Sequence, residues 1–375
     1  MYEIVRYCPE LKPQVAALQR HLWRGSEAEN RAYFEWKYER NPYIASPLVY
    51  LAVCEGRVVG MRGMFGACWE IGPRSERFVV PCADDFVIAP EHRNRGLFGR
   101  IMSAAWEDLA ARGHRCAFSL SAGDVTLAGS LVSGWRSIGS ALEVQRKGIP
   151  SAPWRDRVGA RLRSMPLLWR WADAVAGRVD ETGRRPFRRL DRPARRSPDA
   201  TTVWLAWEPK PTPMAELIRR LGHDGRVRHA RDEEYLGWRF ANPLHEYRFL
   251  FSGDRRMDGY LVLQSYRLDR SRGVNIVDWE AETPSVRSAL LRAALDWGRF
   301  AEVSAWTVTL PEAARALLGE SGFAPTTRGR LTRRGPHLLV RGIGDPRSGT
   351  EPLLGTHRLL DVSGWDMRML YSMAA

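Results

Sequence analysis

The residues most able to do chemistry lie in one run, DDFVIAPEHRNRGLFGRIMSAAW, residues 84–106. Two adjacent carboxylates, Asp84 and Asp85, lead into an apolar strand, Phe86-Val87-Ile88, that stops at Pro90. The polar turn His92-Arg93-Asn94-Arg95-Gly96 then opens straight into a helix. Such a turn gathers unpaired backbone N–H groups at a helix start, where aligned peptide dipoles favour an anion. Arg93 and Arg95 add positive charge, and Gly96 lets the chain come close to a bulky ligand. A diphosphate is the guest that suits it. The run contains neither G-x-x-x-x-G-K-[ST] nor G-x-G-x-x-G, which excludes a Walker A loop and a dinucleotide fingerprint. Strict strand alternation puts Asp84 on the face of Phe86 and Ile88, and Asp85 on the opposite one.

The elements that must position this run follow from periodicity and punctuation. A hairpin is expected over 49–65, hinged at Glu55-Gly56, then a strand near 76–88. A helix is expected from Leu97 to about Arg112, a strand over 114–120, a helix near 125–132 and a strand over 136–147. The order recurs later: a hairpin over 247–266 hinged at Ser252-Gly253-Asp254, a strand at 275–282, a helix at 285–300, a strand at 303–310 and a helix at 311–323. An internal echo introduces each hairpin. YFEWKYERNP (33–42) and YLGWRFANP (235–243) are both aromatic helix ends closed by Asn-Pro, a stop because proline cannot continue a helix. Two copies about 200 residues apart point to a duplicated domain.

The signature at 84–106 resembles the GNAT acyltransferase superfamily. Ile88-Ala89-Pro90 stands where the family has V-x-P at the end of a strand, and Arg93-Asn94-Arg95-Gly96-Leu97 where it has R/Q-x-x-G-x-G/A opening a helix. Phe98 replaces the last small residue, with Gly99 one position later, and Gly134-Trp135 stands for the usual G-F. The resemblance covers residues 3–148 well and 215–330 in layout only. It implies an α/β fold of two GNAT-like lobes, each a twisted mixed sheet with helices on both faces, the second lobe degenerate. The expected divisions are 1–148 for the acyl-CoA-binding lobe, 149–200 for an Arg/Pro-rich helical linker, 201–345 for the second lobe, and 346–375 for a tail docking on the body.

The resemblance further implies acyl-CoA, most simply acetyl-CoA, as co-substrate, with no metal, and transfer to the amine of a small molecule. The diphosphate would sit on the amides of Asn94 to Gly99, Leu97 and Phe98 included. The pantetheine arm would pair with the backbone of Val87 and Ile88. An acid on the motif strand relays a proton in many members, which nominates Asp84 first and Asp85 second. The family's general acid is often a tyrosine four residues before the glycine of G-F; that position is Ser130, a far weaker acid. Ser119 and Ser121, at the end of the next strand, could hold acceptor or water. In the second half, Asp278, Glu280 and Glu282 on strand 275–282 would suit a cationic acceptor, with an exposed strand face as the plainer reading. Thr283-Pro284-Ser285 there offers a poorer anion cradle.

Composition bounds the alternatives. The chain has 375 residues, 44% hydrophobic and 27% charged, about two domains of ordinary globular character. Its formal net charge is +14, yet half of that excess lies in residues 151–200, where thirteen arginines face six acids. That segment keeps open an RNA- or tRNA-associated aminoacyl transfer, and a non-catalytic CoA-binding scaffold is the other alternative. Nucleic acid is not the expected partner, nor is a membrane surface, although Trp154, Trp169 and Trp171 beside arginines could mark one. The five cysteines (Cys8, Cys54, Cys68, Cys82 and Cys116) show no C-x-x-C spacing and suggest a reducing compartment. The eight histidines, His92 among them, lack metal-ligand spacing. The opening residues lack the layout of a secretory signal, so a cytoplasmic protein is expected, as monomer or homodimer.

Overall fold

The structure is a computed structural model that describes residues 1–23, 25–148, 187, 190–191, 203–266, 273–325, 327–328, 331–332, 335–344 and 351–373. Most of the Arg-rich stretch expected at 149–200, with its three tryptophans, lies outside the described residues.

Strands β1 (Tyr2–Arg6), β2 (Leu48–Cys54), β3 (Arg57–Ile71) and β4 (Glu76–Ile88) form an antiparallel meander. The β2–β3 hairpin turns at Glu55-Gly56, both at positive φ (51° and 73°), the geometry that matches strand twist. Helices α1 (Lys12–Gln19) and α2 (Glu27–Phe34) lie ahead of the hairpin. Ser26 and Glu29 cap α2 reciprocally, which satisfies two of its free end amides. After β4 comes α3 (Leu97–Ala111), and the chain returns as β5 (Cys116–Ala122), parallel to β4. The two strands meet at one register pair, Cys82–Phe118, and part on either side of it. Helix α4 (Asp124–Val132) follows.

The strand expected over 136–147 is two strands. Leu142, at φ 49°, breaks it, and the halves join different sheets. β6 (Arg136–Ser140) stays with the first sheet, while β7 (Glu143–Lys147) enters the second. That second sheet also holds β8 (Val203–Ala206), and short β9 (Arg228–His229) crosses back to pair with β3. Helices α5 (Pro211–Leu221) and α6 (Glu233–Arg239) precede β10 (His245–Ser252) and β11 (Gly259–Tyr266). β12 (Gly273–Ala281), α7 (Pro284–Gly298) and β13 (Glu302–Trp306) repeat the strand–helix–parallel-strand unit of β4, α3 and β5. Helix α8 (Glu312–Glu320) and the short strands β14 (Ala324–Pro325), β15 (Thr327–Arg328) and β16 (Leu331–Thr332) come next. Then β17 (His337–Gly342) leaves the second lobe and inserts between β5 and β6 of the first sheet. β7 therefore crosses the expected 148 boundary one way, and β9 and β17 cross it the other.

One continuous buried cluster joins the inner faces of both sheets, from Val49, Leu51 and Trp69 to Phe249 and Phe251. The outer faces have their own cores, one under α3 with Leu97 and Ile101, the other under α7 with Leu290 and Ala294. In the C-terminal segment, Trp365, Leu370 and Tyr371 are fully buried in the central cluster.

The echoed helix ends meet there. Trp36 and Trp238 stack at 4.8 Å and 12°. Each indole N–H donates to the other's backbone carbonyl, at 2.7 and 2.9 Å. The copies differ by one residue: Tyr33, Trp36 and Lys37 stand 202 positions before Tyr235, Trp238 and Arg239, but Asn41 stands only 201 before Asn242. The first copy absorbs its extra residue in a π-turn, Glu35–Glu39, the form a one-residue insertion takes inside a helix.

Candidate functional site

Asp84 and Asp85 meet a cation that the sequence reading did not nominate. Lys37 Nζ, fully buried on the π-turn, lies 2.9 Å from Asp84 Oδ2, 3.0 Å from Asp85 Oδ2 and 2.9 Å from the Tyr33 hydroxyl. Its three N–H donors are thereby matched. The Tyr38 hydroxyl donates to Asp85 at 2.8 Å, and the Ser121 hydroxyl donates to Asp84 at 3.0 Å. The expected separation of the two acids onto opposite faces is overturned. Arg62 pairs with Phe86 and Gly63 with Asp84, leaving Asp85 as an unpaired bulge residue at φ 44°. A bulge resets the alternation, so both carboxylates face the inner core while Phe86 and Ile88 pack on the α3 side. Gly63 leaves room for this, because a Cβ there would collide with the Tyr38 hydroxyl.

The environment drives the two acids apart. Burial would raise Asp84, but the charge and hydrogen bond of Lys37, with help from Ser121, outweigh it and hold the carboxyl below its ordinary range. Burial raises Asp85, and the neighbouring Asp84 charge adds to that against the pull of Lys37. Burial would likewise lower Lys37, yet the two carboxylates keep it well above the ordinary lysine value. Asp84 is the member that reaches solvent, its side chain 11% exposed against none for Asp85 or Lys37. The arrangement is an ionised carboxylate with slight solvent access, backed by a buried cation and a second acid.

The turn after β4 has the shape expected of an anion cradle. Asn94 and Gly96 take left-handed φ values of 59° and 71°. Gly96 is the N-cap of α3, and no side chain caps the helix. A Cβ on Gly96 or on Gly99 would meet nothing within 4 Å, so the helix start opens onto free space. Arg93 turns back, its Nε donating to the Ile88 carbonyl at 3.1 Å. Arg95 stays at the rim and donates to the Tyr2 hydroxyl, as His92 Nδ1 bonds that hydroxyl at 2.9 Å. Val87 and Ile88 pair with Met61 and Gly60 on one edge of β4. Their other edge, past the parting from β5, carries no register pair. A strand edge without a partner, leading from a helix start to a carboxylate, fits an extended chain ending in an anion.

Residues 6–126 match the family model of the acetyltransferase (GNAT) domain. Over that segment the chain is similar to a GNAT domain. Solved structures extend the likeness over both lobes. A probable N-acyltransferase from Enterococcus faecalis V583 is 12% identical with a TM-score of 0.58, over 92% of this chain and 73% of that one. A GCN5-related N-acetyltransferase from Anabaena variabilis is 14% identical with a TM-score of 0.59, over the same shares. A tandem GNAT protein from the clavulanic acid biosynthesis pathway is 12% identical with a TM-score of 0.53, over 92% of this chain and 99% of that one. Identities this low establish fold, and the fold is the two-lobed GNAT arrangement. No curated protein matches in sequence.

Ser130 sits on α4 with its hydroxyl donated to the Thr126 carbonyl at 2.8 Å, and no contact joins it to the acids among the described residues. Ser119 is buried, whereas Ser121 belongs to the cluster. Cys82 and Cys116 are buried thiols; burial raises both, Cys116 to about 12, so neither is a nucleophile at neutral pH. Among the described residues no group of His, Cys, Asp and Glu is placed to hold a metal. No described helix is long and apolar enough to cross a membrane.

The second lobe departs from the expectation of an open acidic face. Asp278 and Glu280 are buried, and two internal arginines occupy them. Arg231 lies 2.9 Å from Asp278 and 2.7 Å from Glu280, and Arg368 of the tail 3.0 and 2.8 Å from the same two. Glu282 is held by Arg220 and Arg256. Thr283 caps α7 by accepting from the Val286 amide, and Pro284 fills its first turn. Where β12 parts from β13, Met367, Arg368 and Met369 line what remains of the gap, a cavity of about 30 Å³.

Lys37, Tyr33 and Tyr38 carried one sequence signal. The echo places a cation at the same point of both copies, Lys37 and Arg239, in a chain with only four lysines.

Proposed function

We propose that this chain is an acyl-CoA-dependent N-acyltransferase, with acetyl-CoA the first donor to test. The acceptor is the amine of a small molecule such as an amino sugar, an amino acid or a biosynthetic intermediate. The observation that carries the reading is the uncapped start of α3 running into the free edge of β4 beside Asp84. The coenzyme's diphosphate would take the amides of Asn94, Arg95, Gly96, Leu97, Phe98 and Gly99, with Arg95 at the rim. Its pantetheine arm would pair with Val87 and Ile88. The second lobe, with its helix capped and its gap filled by the tail, supports one coenzyme site per chain.

In the proposed reaction the acceptor ammonium loses a proton toward Asp84, and the free amine attacks the thioester carbonyl. The new C–N bond forms as the C–S bond breaks; the second amine proton leaves, and the departing thiolate takes up a proton. Asp84 with Lys37 and Asp85 behind it serves as the proton acceptor, and Ser121 holds its orientation. Ser130, its hydroxyl already donated, adds little as an acid, so the thiolate would leave largely unaided.

Two contacts favour a second reading, a coenzyme-binding scaffold without turnover: Asp84 is tied to Lys37, and Ser130 to Thr126. The experiment is calorimetric titration with acetyl-CoA, desulfo-coenzyme A and a generic tRNA, alongside thiol release over a panel of amines. Gly96→Glu should abolish coenzyme binding with the fold retained, since the side chain enters open space at a strain of about 1–2 kcal/mol. Asp84→Asn should spare binding and lower turnover. Binding without thiol release on any amine would favour the scaffold. Coenzyme affinity surviving Gly96→Glu would remove the cradle, and salt-steep tRNA binding in its place would move attention to residues 151–200.

A further inference from the structure

Arg62 is a cation near the acids that the chemistry above leaves unused. It stands on β3 opposite Phe86, one register row from the Gly63–Asp84 pair, and its guanidinium lies over the Phe86 ring at 5.8 Å. Phe98, where the GNAT turn has a small residue, closes on Phe86 edge-on at 5.0 Å. The Arg62 side chain is only partly exposed, and its Nε is enclosed without a hydrogen-bond partner. Among the described residues no carboxylate or carbonyl pairs with its two Nη groups. Arg239 and Arg368, by contrast, have all three nitrogens bonded. Burial lowers the pKa of Arg62, and the carboxylates of Asp84 and Asp85 offset this only in part. A guanidinium enclosed without a counter-ion is unfavourable until a ligand brings one.

Level and face identify that ligand. At about 3.4 Å per residue, Phe86 lies about 10 Å short of Ala89, where the turn to the diphosphate cradle begins. Arg62 is therefore level with the acyl end of a bound pantetheine and not with its phosphates. Register partners share a face, so Arg62 and Phe86 both stand on the α3 side, the side of the cradle helix. An acceptor amine must instead meet Asp84, which faces the inner core.

We propose that Arg62 is a specificity-determining residue that binds a terminal carboxylate on the donor's acyl chain, so that this protein transfers a dicarboxylic acyl group such as succinyl or glutaryl. The inference rests on the coenzyme reading above. The planar guanidinium matches a carboxylate in two parallel hydrogen bonds. The Phe86–Phe98 wall keeps water from one side of them, which strengthens both. The bonds made and broken are those of the step above, and the terminal carboxylate takes no part in them.

Calorimetry on the full chain compares succinyl-CoA and glutaryl-CoA with the neutral donors of equal length, butyryl-CoA and valeryl-CoA. Wild type is set against Arg62→Gln, with melting temperatures to confirm folding. Wild type should bind at least one acidic donor about tenfold or more tightly than its neutral counterpart, as expected for one well-placed charge-assisted contact. Arg62→Gln should bring that ratio close to one and leave the neutral donors' affinities unchanged. Equal wild-type affinities for acidic and neutral donors would overturn the inference and leave the coenzyme reading standing. A parallel loss for all four donors in Arg62→Gln would assign Arg62 to the part of the coenzyme they share, and would also overturn it. If no donor binds wild type, the coenzyme reading itself fails and the inference with it.

Discussion

Lys37 stands where a carboxylate pair would otherwise be untenable. Two buried acids side by side repel, and the fold resolves this with one ammonium shared between them. Lys37→Met should therefore cost about 3–5 kcal/mol, because it leaves an uncompensated buried charge; urea denaturation reads this, and a loss below about 1 kcal/mol would mean the cluster rehydrates. His229 carries a second residue-scale prediction. It stacks on Tyr235 at 3.9 Å within the aromatic cluster, and burial lowers its pKa to about 3. Its unfolded-state value of 6.5 is higher, so the unfolded chain binds the proton first. The stability it contributes is complete above pH 6.5 and drains away as pH falls toward about 3. His229→Phe should flatten the stability–pH curve across that window, leaving the share owed to His245, which burial also lowers. An unchanged slope would show that His229 is solvated in the folded state.

At the scale of elements, the site is made by two local irregularities that answer one another. The π-turn at Glu35–Glu39 presents Lys37, and the bulge at Asp85 brings both acids to it. The second copy has a bulge as well, at Val277, with Ile276 and Asp278 beside it. Its cation, Arg239, is spent on the tail carbonyls of Leu370 and Ser372. A repeated element has thus been turned from acid pairing to tail anchoring. Gly63 is the point where β3 tolerates the arrangement. Gly63→Ala should push the Tyr38 hydroxyl off Asp85 and lower stability by about 1–3 kcal/mol, the ordinary range for overpacking a core. Wild-type stability in that variant would mean Tyr38 finds another rotamer and does not hold Asp85.

At the scale of the whole molecule, the lobes are interlocked. β17 supplies the partner for both β5 and β6, and β7 supplies a strand to the second sheet. Trp365 of the tail packs edge-on to Trp69 and Phe118 in the first lobe. Residues 1–148 by themselves should lack a strand between β5 and β6 and expose the central aromatic core, which invites aggregation through the unpaired edge. Near-UV circular dichroism of that fragment should show no fixed aromatic environment; a native-like spectrum from a soluble monomer would argue that β17 is dispensable.

The sequence by itself determined what local patterns can encode. The strand–turn–helix at 84–106 lies where expected because Pro90, Gly96 and an apolar run fix it without help. The echo marked the two helix ends that meet at Trp36 and Trp238. Tertiary structure decided what depends on partners distant in the chain. A bulge is defined against the facing strand, so no periodicity at Asp84 and Asp85 could reveal that both point inward. The 136–147 run reads as one strand until Leu142 sends its halves to different sheets. Asp278 and Glu280 look like an open acidic face because Arg231 and Arg368, which close it, come from 47 and 90 positions away.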